Sequence, residues 1–265
     1  MLPAIRECLG TRLIRPRETW LLLPEHQTYS RIPDLLFAKL DVPNLLRRLR
    51  QSTPPLVRTE LLILQTLRED RRMRLATLAS ALHLGTEHVR RVLARLERYG
   101  LVAESAAGVL RRLETVRPFV TRLVSVEAKR SRWRSALVQA RAHRPFSNEA
   151  WVAFDAAFIS RFRAVQRQFV ASGIGLLAID AATNRSTIIV QPSPRLTARS
   201  PLAFSVVAEL VLARLTGAPI RQLPQTRLPN GSGPIVRPAR PLLVGPYPKS
   251  LQRHVRGVSR APRGL

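Results

Sequence analysis

The run FVTRLVSVEAK, residues 119–129, decides how the rest of the chain is placed. Its apolar and β-branched residues predict a core strand. It ends on Glu127-Ala128-Lys129. Successive strand residues point to opposite faces, so Glu127 and Lys129 project side by side. The lysine is a marked choice, because 44 residues are Lys or Arg and only Lys39, Lys129 and Lys249 are lysine. Arginine is a planar, permanently charged fork, whereas lysine is a compact point donor that can tune its pKa or hold a water. A carboxylate beside an ammonium, with more acid nearby, suits a divalent metal ion and an activated water.

Composition bounds the partners. The chain has 265 residues, 45% of them hydrophobic, enough for a real core and too many for a disordered chain. Its formal net charge is +27, which predicts a polyanionic partner, most simply nucleic acid. A biased genome explains arginine in place of lysine, but not 44 bases against 17 acids. Cys8 is the one cysteine, so a disulfide framework or a Cys-rich zinc site is excluded. The five histidines form no HxxxH pair. No apolar run approaches the roughly 18–20 residues that span a membrane. MLPAIRECLGTRL lacks a signal-peptide core, being interrupted by Arg6 and Glu7. The expectation is a soluble cytoplasmic protein with no membrane partner.

Around the opening run the sequence changes grammar twice. Residues 3–13 read as a short helix carrying Glu7, and ETWLLLP (18–24) as a strand. A turn near Tyr29-Ser30 and a second strand over 31–40 complete a hairpin, and VPNLLRRLRQ (42–51) is a helix. Ser52-Thr53-Pro54-Pro55 is a breaker. Residues 56–114 then read as three helices and two short strands. The third helix, TEHVRRVLARLERYG, starts with Thr86 as N-cap, places Val89, Val92, Leu93 and Leu96 on one face, and stops at Gly100. After Pro118 come strands over 119–129, 149–155, 174–180 and the STIIVQP run. Helices cover SRWRSALVQARAH, 158–172 and 200–217. From 218 onward the chain is rich in Pro, Gly and Arg and reads as largely irregular.

Residues 56–114 resemble the winged-helix domains of bacterial regulators. The exposed side of the third helix would offer Thr86, His88, Arg91, Arg95 and Arg98 to phosphates and guanine edges. The flanking segments resemble the PD-(D/E)xK nuclease superfamily, through Pro33-Asp34 in RIPDLLFA, Glu127-Ala128-Lys129 in SVEAKR, and the order of helices and strands. That resemblance implies an α/β (α+β) fold: a restriction-endonuclease-like mixed central sheet flanked by helices. It further implies Asp34 and Glu127 as ligands of Mg²⁺ (or Mn²⁺), with Glu7 completing the set. Lys129 would position the attacking water, and Gln139 would act from the following helix. His143 stands where some branches carry a tyrosine. The wide separation of Asp34 and Glu127 departs from the family's usual spacing and is accounted for by insertion of the winged helix.

The resulting expectation divides the chain into a nuclease-like core at 1–52 and 116–217, an inserted winged helix at 53–115, and a basic tail at 218–265. The function expected is DNA binding with metal-dependent phosphodiester hydrolysis. The alternative is a non-catalytic winged-helix regulator with a degenerate nuclease fold. DNA is the partner, with a homodimer as a further expectation. An RNA- or ribosome-associated protein ranks last, because 5% aromatics offer few stacking platforms. Read singly, Asp34 is a strand-edge residue, Glu127 and Lys129 a solvated pair, and His88 and His143 surface residues. Trp133 and Trp151 read as packing anchors.

Overall fold

The computed structural model describes residues 2–13, 15, 17–24, 33–51, 53–67, 72–113, 117–158, 163–180, 182–183, 185–193, 198, 200–218, 242–244 and 251. The fold is mixed α and β. Helices are α1 (Leu2–Leu13), α2 (Val42–Arg50), α3 (Arg58–Thr66), α4 (Leu75–Leu82), α5 (Thr86–Arg98), α6 (Trp133–His143), α7 (Gln166–Ser172) and α8 (Pro201–Thr216). Strands are β1 (Thr19–Pro24), β2 (Leu35–Leu40), β3 (Met73–Arg74), β4 (Val102–Glu104), β5 (Val109–Arg112) and β6 (Val120–Lys129), then β7 (Glu149–Asp155), β8 (Gly175–Asp180), β9 (Arg185–Val190) and β10 (Leu242–Val244).

Seven strands form one sheet in the order β10-β1-β2-β6-β7-β8-β9. The β6-β7 and β7-β8 pairs are parallel and the others antiparallel. β6, the run that opens the sequence analysis, lies at the centre. Alternation sorts its residues onto two faces. Val124 and Val126 pack with Leu35, Phe37, Trp151 and helix α1. Across β7, the residues paired with Ser125, Glu127 and Lys129 are Ala150, Val152 and Phe154, which pack with Ala136, Leu137 and Ala140 of α6.

Two tryptophans fix the α1 face, each satisfied in the same way. Trp20 Nε1 donates to Glu18 and Trp151 Nε1 to Glu149, two residues earlier along the chain. Each glutamate also takes a cation from a neighbouring strand, Lys39 for Glu18 and Arg122 for Glu149. A buried indole N–H needs such a partner. β8 passes close over Trp151, because a Cβ on Gly175 would overlap the indole ring. Only glycine fits there.

Several expectations shift. β2 starts at Leu35 rather than 31, and the turn at Tyr29-Ser30 lies outside the described residues. Of the helix expected over 158–172, residues 159–162 lie outside the described residues; the described ones are the 3₁₀ turns Ala156–Phe158 and Arg163–Val165 and the helix α7. The tail is not wholly irregular. Residues 242–244 pair antiparallel with β1, and Leu251 is buried in the core beneath β1 and β2. A lone three-residue strand carries too little pattern to be read from sequence. His143 is not a surface residue. It is fully buried and tilted against Phe146, 5.7 Å between ring centroids.

Residues 58–112 form their own small structure. α3, α4 and α5 enclose a core of Leu61, Leu64, Leu78, Val89, Val92 and Leu96, and β3-β5-β4 makes a three-stranded sheet beside it. α8 joins the two parts. Val206 and Leu210 complete the α3–α5 core, while Val207, Val211, Leu212 and Leu215 pack under β1 and β2. A helix that is apolar all round is one with neighbours on every side. Ser200 caps its start through the Ala203 N–H, and Gly217 ends it in a left-handed conformation.

Candidate functional site

Two arrangements carry the sequence-predicted residues. The first is at one rim of the large sheet. Leu35 of β2 lies opposite Val126 of β6, so the residue before β2 meets the end of β6. There the Ala128 N–H donates to the Asp34 carboxylate at 2.6 Å, across 94 residues of sequence. Glu127 Oε1 sits 2.6 Å from Lys129 Nζ. Glu127 is buried, while Asp34 and Lys129 are partly exposed. The structure therefore brings Asp34, Glu127 and Lys129 together.

It does not bring Glu7. Helix α1 packs against the sheet face of Val124 and Val126, opposite the face of Glu127 and Lys129, and Glu7 is exposed. Among the described residues no three His, Cys, Asp or Glu side chains form a metal-binding group. Gln139 lies half-buried on α6, the helix over the Glu127 face, where it accepts a bond from Ser135 Oγ at 3.5 Å. Among the described residues it makes no hydrogen bond to Asp34, Glu127 or Lys129.

β6, β7 and β8 run parallel, so their carboxyl ends share this rim. In open sheets of this kind ligands settle outside the carboxyl ends of strands. Two acids there escaped the sequence reading, Asp155 and Asp180. EAWVAFD and IGLLAID each end an apolar strand on aspartate, which was the available signal. Both fold back into turns: Asp155 accepts the Ala157 N–H, and Asp180 accepts the Ala182 and Thr183 N–H groups and the Thr183 hydroxyl. The Thr183 side chain and backbone, then Ala182, hold Asp180 below the usual carboxylate range.

The second arrangement is helix α5. Val89, Val92, Leu93 and Leu96 are buried against α3 and α4. The opposite side exposes Thr86, His88, Arg91 and Arg98. Two details differ from expectation. Thr86 is the first helical residue rather than the N-cap, which is Gly85, and His83 takes the left-handed position in the turn (φ 53°). Histidine tolerates that region better than bulkier or branched residues. Arg95 is half-buried, and its Nε donates to Glu60 Oε1 at 3.0 Å. Glu60 is fully buried and also accepts the Val57 N–H at 2.9 Å. Arg95 thus anchors α5 to α3, and its charge is already partnered. Arg90, not singled out by sequence, is exposed and pairs with Glu87 at 2.8 Å. Beyond α5, Gly108 (φ 70°) forms the tight turn between β4 and β5.

The two arrangements are tied by buried charge. Arg48 of α2 bonds the carbonyls of Thr53 and Pro54 and the Glu209 carboxylate of α8. Glu209 also accepts the Leu56 N–H at 2.8 Å. The segment that leads into α3 is thereby clamped between α2 and α8. Burial pushes Glu209 above the usual carboxylate range; Arg48 and the Leu56 N–H partly offset this, and nearby Glu60 adds to it.

Comparison with known families places this geometry. Residues 56–107 match the MarR family, so α3 to α5 and the β4-β5 turn are similar to its winged-helix DNA-binding domain. The match covers well under half of the chain. No curated protein and no solved structure matches, and nothing in these comparisons supports the nuclease resemblance. Among the described residues no helix is long and apolar enough to cross a membrane.

Proposed function

We propose that the protein is a winged-helix DNA-binding regulator of the bacterial type, acting in the cytoplasm, whose α5 enters the major groove. The observation that carries the reading is the division of α5. One stripe is sealed into the MarR-like core, and the other presents Thr86, His88, Arg91 and Arg98 to solvent. Arginine and histidine donors on one helix face suit phosphates and the guanine edge. The winged helix is the part of the chain with a family match, and the net charge of +27 favours a nucleic acid. A homodimer would present two such helices to two half-sites about one helical turn apart. Selection from random duplexes by the full-length protein, followed by fluorescence anisotropy, tests this. The expected result is preferred binding to a recovered site, lost in an Arg91→Ala/Arg98→Ala variant that still folds. Binding unchanged in that variant overturns the reading.

A second reading rests on the rim of the large sheet. There Asp34 and Glu127 would hold Mg²⁺, with Lys129 orienting a water. Magnesium is commonly held by one or two carboxylates together with waters and substrate phosphates, so this pair fits that mode. A bound ion would lower the pKa of the water and neutralise charge on a phosphodiester. Lys129, like Asp34, is partly exposed and so placed to meet a solvent molecule, and Glu127 fixes its ammonium. Incubation with plasmid or branched DNA and Mg²⁺ or Mn²⁺ decides it. Cleavage lost on Lys129→Ala supports hydrolysis, and absence of cleavage by the native protein removes it.

A further inference from the structure

We propose that the groove between the start of β1 and helix α2 is a second contact for the phosphate backbone of duplex DNA, outside the winged helix. The inference rests on the DNA-binding reading and extends it onto the large-sheet part of the chain.

The groove has a volume of about 730 Å³. Val42, Pro43 and Leu46 give its lining an apolar part, and Arg17, Arg47 and Arg50 a charged one. All three arginines are exposed. Among the described residues none of them forms an ion pair; Arg47 Nη1 donates to the neutral Asn44 side chain at 3.2 Å. This contrasts with Arg48 on the same helix, which turns inward to Glu209, and with Lys39 on the adjoining β2, which is paired to Glu18. Arg47 and Arg50 are three apart on α2, so they are neighbours on one surface of the helix. Glu18, next to Arg17, is taken up by Lys39, and Asp41, the acid nearest in sequence to Arg47 and Arg50, is occupied as the N-cap of α2, accepting the Asn44 N–H at 3.0 Å and the Asn44 Nδ2 at 2.9 Å.

Shape and charge together choose the occupant. The groove is more open than enclosed, whereas sites for small ligands enclose most of the bound molecule. An extended polyanion needs only one side covered. Its phosphates would meet the three guanidinium groups, which are suited to bidentate contact. The apolar part of the lining would lie against the C–H surface of deoxyribose. Arg48 clamps α2 to the segment entering α3, so this groove and the winged helix hold a fixed relation.

The test measures binding of full-length protein to its duplex across a salt series. Each phosphate contact contributes about 0.9 to the slope of log affinity against log salt. The Arg17→Ala/Arg47→Ala/Arg50→Ala variant is expected to lower that slope by about 2–3, with sequence preference unchanged. The Arg→Lys version of the triple variant should retain most of the slope, and matching thermal unfolding should verify the fold of both. An unchanged slope in the alanine variant, while Arg91→Ala still weakens binding, overturns this inference and leaves the winged-helix reading standing. Native protein that binds no duplex at any salt overturns both. A slope unchanged while the variant loses an acidic protein partner also overturns it, by assigning the groove to that partner.

Discussion

The winged helix and the large sheet are built in opposite ways. The winged helix draws almost its whole core from residues 56–110, with α8 adding Val206 and Leu210. Its elements meet neighbours close in sequence, and its helix periodicity is open to reading. The sheet joins distant segments: β2 to β6, β1 to β10, and Arg48 to Glu209 across 161 residues. Local architecture leaves a local signature, and that is the part with a family match. Non-local architecture places its chemistry where no window of sequence shows it.

The sharpest way to break the comparison is at the junction. Glu209→Ala leaves Arg48 as a buried charge without its carboxylate. Removing one partner of a buried pair costs about 3–5 kcal/mol, and urea unfolding should show both regions losing stability together. Arg48→Met/Glu209→Leu should cost much less. Two separate transitions in the native protein would mean that the regions are independent.

A second test confines the damage to the sheet. Gly175→Ala pushes a methyl into the Trp151 ring, with an expected loss of about 1–3 kcal/mol. DNA affinity measured below the melting temperature should not change. Affinity that falls with stability would couple the β7–β8 end of the sheet, remote from the β1–α2 groove, to DNA binding.

The complementary change lies in the winged helix. Glu60→Gln keeps the shape of the side chain but removes the charge that holds Arg95. The expected loss is about 1.5–3 kcal/mol, the scale of a charged hydrogen bond. It should come with a change in DNA affinity, because α5 loses an anchor. Unchanged affinity would confine the Glu60–Arg95 pair to stability.

The smallest effect concerns pH. Burial raises the Glu18 pKa, but hydrogen bonds from Lys39, Trp20 and the Arg15 N–H, with the Lys39 charge, leave it below the ordinary value. A carboxylate depressed in the folded state adds stability above its unfolded pKa, and that stability is lost as pH falls through the folded one. Glu18→Gln should therefore flatten the decline of melting temperature below about pH 4.5. An identical acid limb would assign that decline to other carboxylates.

Legibility followed the same division. The strand at 149–155 and the span of α8 were readable within a residue or so, because a short apolar run bounded by Glu149 and Asp155, and the ends Ser200 and Gly217, mark them. Asp34, Glu127 and Lys129 were readable as residue types, and their meeting was an inference from pattern. The place of Glu7 was not readable, because a helix sequence does not say which sheet face the helix covers. His143 was misjudged because a polar residue near a helix end reads as exposed, although Phe146 and the α6–β7 turn enclose it.

The sequence by itself determined the positive charge, the helix and strand periods, the stripe of α5, and the change of grammar around residues 56–114. These are properties of composition and of neighbours a few positions apart. Only the tertiary structure decided that the Asp34 carboxylate takes the Ala128 N–H, that Arg95 is committed to Glu60 while Arg47 and Arg50 are not, and that α8 serves two cores. Each depends on which segments pack face to face. Packing is a property of the whole chain, settled by how all its apolar surfaces are covered together.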